Sequence, residues 1–166
     1  MPIFRPANPD DAERISHLLT VTFDVNSTPG WEIDALARFH ARNNYEQIDI
    51  AIATAVYQEV CVNSGEIVAY LYMPRPYLIG ILAVHPSLQG HGIGSALLQR
   101  GRQYVLSHHP EVTVLQVNAT ERSEPFYAAH SFFPLSPYVM MEGMRFRRMG
   151  YWCGLAVLNR DLRVED

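Results

Sequence analysis

Apolar and polar positions along the chain recur with two different periods, and the change between them marks out the elements. Ile3 to Pro6 has the form of a short strand. Asn8-Pro9-Asp10-Asp11 then looks like a helix entry, with proline at the first helical position and acids in the first turn. Beyond it Ile15, Leu18, Leu19, Thr22 and Phe23 recur at helical spacing, which predicts one apolar face docked on a sheet. Asn26-Ser27-Thr28-Pro29-Gly30 is expected to break this helix, and Trp31 to Arg42 carries a second amphipathic one with Ile33, Leu36, Ala37 and His40. Ile48 to Ala53 fits a helix end or a strand equally, so residues 48–58 are left open.

Further on the period becomes two. Glu59 to Val62, the turn Asn63-Ser64-Gly65-Glu66 and Ile67 to Tyr72 predict an antiparallel hairpin, ended by Pro74 and Pro76. Tyr77 opens the next strand, with Leu78 to Val84 an apolar run. Gln89-Gly90-His91-Gly92-Ile93-Gly94 follows, and Ser95 to Leu106 returns to helical spacing. Val112 to Val117 reads as another strand, Pro125-Phe126-Tyr127 as a helix start, Val139 to Leu158 as the final two strands and Asp161 to Asp166 as a frayed tail. No repeat or long linker divides the sequence, so residues 1–166 are expected to form one domain of mixed α/β (α+β) class.

The hexapeptide between strand and helix carries the chemistry. Glycines at alternate positions permit a tight turn, and the unpaired N–H groups of the following helix's first turn suit a pyrophosphate. A P-loop would need Gly-Lys-Ser/Thr, but all thirteen basic residues are arginine; Schiff-base chemistry is excluded with it. The dinucleotide fingerprint G-x-G-x-x-G would put its third glycine on Ser95 or Leu97, and fails. The pattern that fits is Gln/Arg-x-x-Gly-x-Gly, with Gln89, Gly92 and Gly94 in the defined places.

That loop resembles the acetyl-CoA loop of the GNAT superfamily of N-acetyltransferases. The likeness extends to Ile81-Leu82-Ala83-Val84-His85-Pro86, similar to the family's fourth strand with its Val-x-Pro step, and to Val112 to Val117 followed by Asn118-Ala119-Thr120 and Pro125-Phe126-Tyr127. Ser131-Phe132 stands where relatives have Gly-Phe, so the left-handed turn that glycine normally makes there is expected to differ locally. The resemblance implies a GNAT-like fold: a central twisted, mostly antiparallel sheet of about seven strands, flanked by about four helices and splayed between the fourth and fifth strands.

It also implies transfer of an acetyl group from acetyl-CoA to a primary amine by direct attack, without a covalent intermediate. On this basis Leu82, Ala83 and Val84 run along pantetheine and one of their N–H groups polarises the thioester carbonyl. Gln89, Gly90, His91, Gly92, Ile93, Gly94 and Ser95 surround the phosphates through backbone groups, so the side chains of His91 and Ile93 are expected to contribute little. Asn118 either binds pantetheine or caps a turn. Tyr127 is the general acid for the departing thiolate. Relatives often draw the amine proton through a glutamate on the fourth strand, but Tyr77 to Val84 contains no acid; His85, Glu59, Glu46 and ordered water are the candidates for the base. Two rivals share these motifs: a non-catalytic acyl-CoA-binding module, which has no use for Tyr127, and an acyltransferase for longer acyl chains.

Composition narrows the partners. A formal charge of −4 argues against nucleic acid, and the Arg145, Arg147, Arg148 cluster is read as a solvated strand face. Scattered His17, His40 and His130 and the helix-end pair His108-His109 show no metal-ligand spacing, so no metal is expected. Cys61 and Cys153 form no Cys-x-x-Cys pattern, no apolar run approaches the ~20 residues of a membrane span, and a reducing cytoplasm is the expected setting. The acceptor implied by the resemblance is a small-molecule or peptide amine of unknown identity; Asp24, Glu32 and Asp34 are read as a solvated acidic face in preference to a site for a cationic amine, and a homodimer is left open.

Overall fold

The computed structural model describes residues 1–26 and 31–154. Its strands are β1 (Ile3–Arg5), β2 (Tyr57–Asn63), β3 (Glu66–Met73), β4 (Leu78–Ile79), β5 (Ile81–Val84), β6 (Val114–Ala119), β7 (Phe133–Met141) and β8 (Met144–Trp152). Its helices are α1 (Ala12–Asn26), α2 (Ala35–Arg42), α3 (Tyr45–Thr54), α4 (Ile93–His108) and α5 (Glu124–Ala129). The side chain of Asp24, the expected helix break over 27–30 and the segment 155–166, which includes the expected tail and the end of the last expected strand, lie outside the described residues.

The strands form two four-stranded halves, in the orders β1-β2-β3-β5 and β4-β6-β8-β7. Every pairing is antiparallel except that of β4 with β6. Both faces of the first half are covered, so β3 is buried almost throughout and reads as a continuous apolar run. On one face Ile15, Leu18 and Leu19 of α1 pack with Ala35 and Phe39 of α2 against Val60, Ile67 and Tyr70. On the other, Leu97, Leu98 and Val105 of α4 pack against Cys61, Leu71 and Met73. The β2–β3 turn places Ser64 and Gly65 at φ of 52° and 84°, the left-handed pair that suits a two-residue hairpin.

Three points go beyond or against the expectations. First, the segment left open, 48–58, is helix through Thr54 and strand from Tyr57: Asn44 caps α3 by accepting from the Gln47 N–H at 3.0 Å, and the buried residue of that helix is Ile48. Second, α2 begins at Ala35 rather than Trp31 and buries Ala35 and Phe39, while Ile33 is fully exposed. Of the face expected from Ile33, Leu36, Ala37 and His40, Leu36 and His40 are half-buried and Ala37 is exposed, because the i, i+4 pair turned inward is Ala35 and Phe39. Third, Ser131 keeps the left-handed turn at φ 66°, with its N–H and that of Phe132 closing on Ala128 O and Tyr127 O. Phe132 is buried in the core and holds the serine in that conformation.

Candidate active site

The site arises where one strand changes partners. Residues 78–84 start against β6, with the Gln116 N–H donating to Tyr77 O at 2.7 Å, and finish against β3 as β5. Gly80 is the crossing point. A Cβ there would stand 3.0 Å from both Pro74 Cδ and Tyr72 Cδ1, so the bend needs a residue without one. Beyond Gly80, β5 and β6 diverge and leave a cleft of about 580 Å³.

The open edge of β5 faces that cleft. The His85 N–H donates to Val68 O of the neighbouring segment at 2.8 Å. Because successive strand N–H groups alternate in direction, those of Val84 and Leu82 point away from β3, into the gap. The Val84 carbonyl on the same side accepts from Gln89 Nε2 at 3.0 Å. The Gln89 side chain therefore ties the loop to the strand end.

The loop then turns through Gly90 and Gly92 at φ of 78° and 83°, a region costly for any residue with a Cβ. Around both, a Cβ would meet nothing within 4 Å, so the space in front of them is open. Gly92 is the N-cap of α4, and its carbonyl accepts the first helical bond from Ala96 N at 3.0 Å. The N–H groups of Ile93, Gly94 and Ser95, which precede that bond, are the orphan donors of a sixteen-residue helix.

Of the residues singled out by sequence, Leu82, Ala83, Val84, Gln89, Gly90, Gly92, Gly94, Ser95, Asn118 and Tyr127 all line this one cleft. His91 is exposed, with its ring Nδ1 2.9 Å from Gln89 O. Ile93 is buried in the core with Leu97, so its side chain anchors the loop from behind rather than lining the cleft. Asn118 Oδ1 accepts from Arg148 Nε at 3.2 Å. The arginines also depart from a plain solvated face: Arg147 bonds Glu124 at 2.8 Å, and both Arg145 and Arg147 lie over the Tyr138 ring. Glu124, which Tyr138 and Arg147 hold and keep below the usual carboxylate range, opens α5.

Tyr127 on α5 is 5% exposed. Its ring sits edge-on to Phe126 and Phe132, and among the described residues its hydroxyl has no hydrogen-bond partner. Burial alone pushes this phenol well above its ordinary value. It is thus a protonated donor with no acceptor among the described residues. His130, placed among the scattered histidines by sequence, joins α5 to the loop: Nδ1 meets Phe126 O at 2.7 Å and Nε2 meets Ser95 Oγ at 2.9 Å.

None of the proposed bases lines the cleft. Glu59 is buried on the α4 side, held by Arg100 at 2.5 and 2.6 Å and by the Tyr57 hydroxyl at 2.9 Å. His85 faces a separate groove with Glu13, Arg14 and His17, its Nδ1 2.8 Å from Ser87 Oγ. Glu46 is exposed on the first turn of α3. Sequence reasoning also missed much of the lining: Thr22 and Phe23 from α1, Trp31, Phe39 from α2, Met144 and Phe146 from β8, and Arg122 after β6. Only the cleft's three-dimensional course brings these together. Among the described residues, no three His, Cys, Asp or Glu side chains gather as a metal site, and no helix is long and apolar enough to cross a membrane.

Residues 27–152 match the family described as the acetyltransferase (GNAT) domain, and the chain belongs to that family of enzymes. Among solved structures, a GCN5-related N-acetyltransferase from Rhodopseudomonas palustris superposes with a TM-score of 0.78 at 18% identity, over 92% of this chain and 96% of that one. The PaiA N-acetyltransferase from Thermoplasma acidophilum, in complex with coenzyme A, gives 0.75 at 11% identity, over 92% and 99%. An aminoglycoside 6'-N-acetyltransferase complexed with coenzyme A gives 0.67 at 13% identity, over 91% and 97%. At these identities the likeness is one of fold. No curated protein sequence matches significantly.

Proposed function

We propose that the protein transfers an acetyl group from acetyl-CoA to a primary amine by direct attack. The observation that carries this reading is the alignment of three unpaired features on one cleft: the open edge of β5, the orphan N–H groups of α4 and the partnerless Tyr127 hydroxyl. When bound, acetyl-CoA supplies the thioester carbonyl, to which the amine nitrogen bonds as the carbon–sulfur bond breaks, giving an acetamide and the free CoA thiol.

The residues divide that work. Leu82 and Val84 offer N–H groups to the pantetheine arm as an added strand would, and Ala83, 2% exposed, holds β5 rigid from behind. Gln89 fixes the loop, Gly90 and Gly92 shape it, and Ile93, Gly94 and Ser95 present backbone donors to the pyrophosphate. Arg122 adds a cation for a phosphate group at the rim. Asn118 is oriented by Arg148, with its amide N–H₂ left for the pantetheine arm. Tyr127 donates to sulfur as negative charge develops there. With its pKa raised, it acts through the hydrogen bond it strengthens in the transition state. The amine proton passes to water, since among the described residues no carboxylate or histidine lines the cleft.

Ligand-induced stabilisation tests the reading. Acetyl-CoA at a hundredfold excess over its Kd stabilises by about 2.7 kcal/mol, or roughly 5–10 °C in Tm for a chain of this size. CoA should act similarly, NADH and ATP should not, and longer acyl-CoAs report the room beside the thioester. Gly92→Val forces a β-branched residue to φ 83° and should abolish the shift. No shift with any CoA species, or a shift with NADH, would overturn the assignment.

A further inference from the structure

We infer that the acceptor is a small monoamine on an aromatic or branched aliphatic body, a reading that deepens the acetyl-transfer proposal and rests on it. The acceptor half of the cleft, on the α1–α2 side of β5, is walled by Phe23, Trp31, Phe39, Met144 and Phe146. The rings of Phe23 and Phe39 lie 4.0 Å apart at 31°, a continuous aromatic floor across two helices. Among the described residues, the one charged side chain lining the whole cleft is Arg122, a cation.

The side chain of Asp24, next to Phe23, lies outside the described residues, and two other acids close to this wall in sequence, Glu32 and Glu142, are already paired. Glu32 bonds Arg38 at 2.8 Å and Glu142 pairs with Arg42, and neither lines the cleft. A polyamine or aminoglycoside would carry its second and further charges into a cleft that, among the described residues, has no carboxylate to meet them, and a buried unpaired charge is strongly disfavoured. A monoamine meets the opposite situation. Apolar walls lower the pKa of an ammonium group, so the same surface that binds the body favours the neutral, nucleophilic form. This complements the lack of a side-chain base.

A second observation points to a ligand with one polar atom on its body. Thr22, 5% exposed, and Trp31 both line the cleft, and the Thr22 hydroxyl and the Trp31 indole N–H are buried without a hydrogen-bond partner among the described residues. Such orphaned groups are rare in folded proteins and each is costly. An indole N–H only donates, so it calls for an acceptor oxygen, as in an amide or a phenol.

The test measures acetyl-CoA binding by calorimetry and, separately, kcat/KM for phenethylamine, phenylalaninamide, spermidine and kanamycin. With acetyl-CoA bound, at least a tenfold preference for the two aromatic amines over spermidine and kanamycin is expected, phenylalaninamide leading. In Trp31→Phe that lead should vanish. Phe146→Glu, which sets a carboxylate in the wall, should move the phenethylamine-to-spermidine ratio about tenfold toward spermidine with acetyl-CoA affinity unchanged. Intact acetyl-CoA binding with spermidine or kanamycin preferred, or with no aromatic amine acetylated, would overturn this inference alone. An unmoved ratio in Phe146→Glu would do the same. Loss of acetyl-CoA binding in the parent protein would overturn it together with the acetyl-transfer reading.

Discussion

Tyr127→Phe separates catalysis from packing more cleanly here than a tyrosine substitution usually does. The hydroxyl has no partner among the described residues, so its removal orphans no other group. The ring contacts, at centroid distances of 5.2 Å to Phe126 and 5.3 Å to Phe132, are kept by phenylalanine. A hydroxyl with no partner among the described residues contributes little to folding, so its loss should change stability by less than about 1 kcal/mol, and Tm should stay within roughly 2–4 °C of the parent's. Turnover should fall about 10²- to 10³-fold, the range for a lost transition-state hydrogen bond, or roughly 2.7–4 kcal/mol. Thiol release from acetyl-CoA reports the rate, and Cys61 and Cys153, both buried, contribute little background. Affinity for acetyl-CoA should stay within about twofold of the parent's. Because burial raises the phenol, it stays protonated, and the parent's kcat should show no falling limb below about pH 10. A kcat within threefold of the parent's would refute the role, as would a loss of rate matched by a loss of acetyl-CoA binding.

Two further substitutions test the frame around the site. Ser131→Gly relieves a left-handed serine at φ 66° and should stabilise by about 1 kcal/mol, read as a higher urea midpoint; no change would mean Phe132 packing removes the strain. Asp11→Asn weakens the bidentate hydrogen bonding from Arg5, at 2.6 and 2.9 Å, and the hydrogen bond from the Asn8 N–H at 3.0 Å, at a cost of about 1–2 kcal/mol near neutrality. The Arg5 hydrogen bond holds the Asp11 carboxyl below its ordinary range. Its contribution is therefore complete above the ordinary carboxylate pKa and lost as pH falls through the lowered one. The gap between parent and variant should close below about pH 4, and a pH-independent gap would count against this account.

Local chemistry made much of the molecule legible before any coordinates. The hairpin at Asn63 to Glu66, the helix entry at Asn8 to Asp11 and the glycine loop each follow from residues within a few positions of one another, because turns and caps are short-range structures. Even α3 had its signal in Asn44 and Gln47, hidden behind an apolar run, Ile48 to Ala53, whose period fits either state. The ten expected residues that line the cleft were reached through the resemblance to the GNAT motifs, which are legible in sequence because they sit on a strand, loop and helix consecutive in the chain or on short segments after it. What only tertiary structure decided is where residues 78–84 change sheets at Gly80, and which distant side chains face the resulting gap. The aromatic wall from Phe23 to Phe146 belongs to that second kind. Its members share no period and no motif; they meet because two strands diverge, and a surface made by divergence is written in no single stretch of chain.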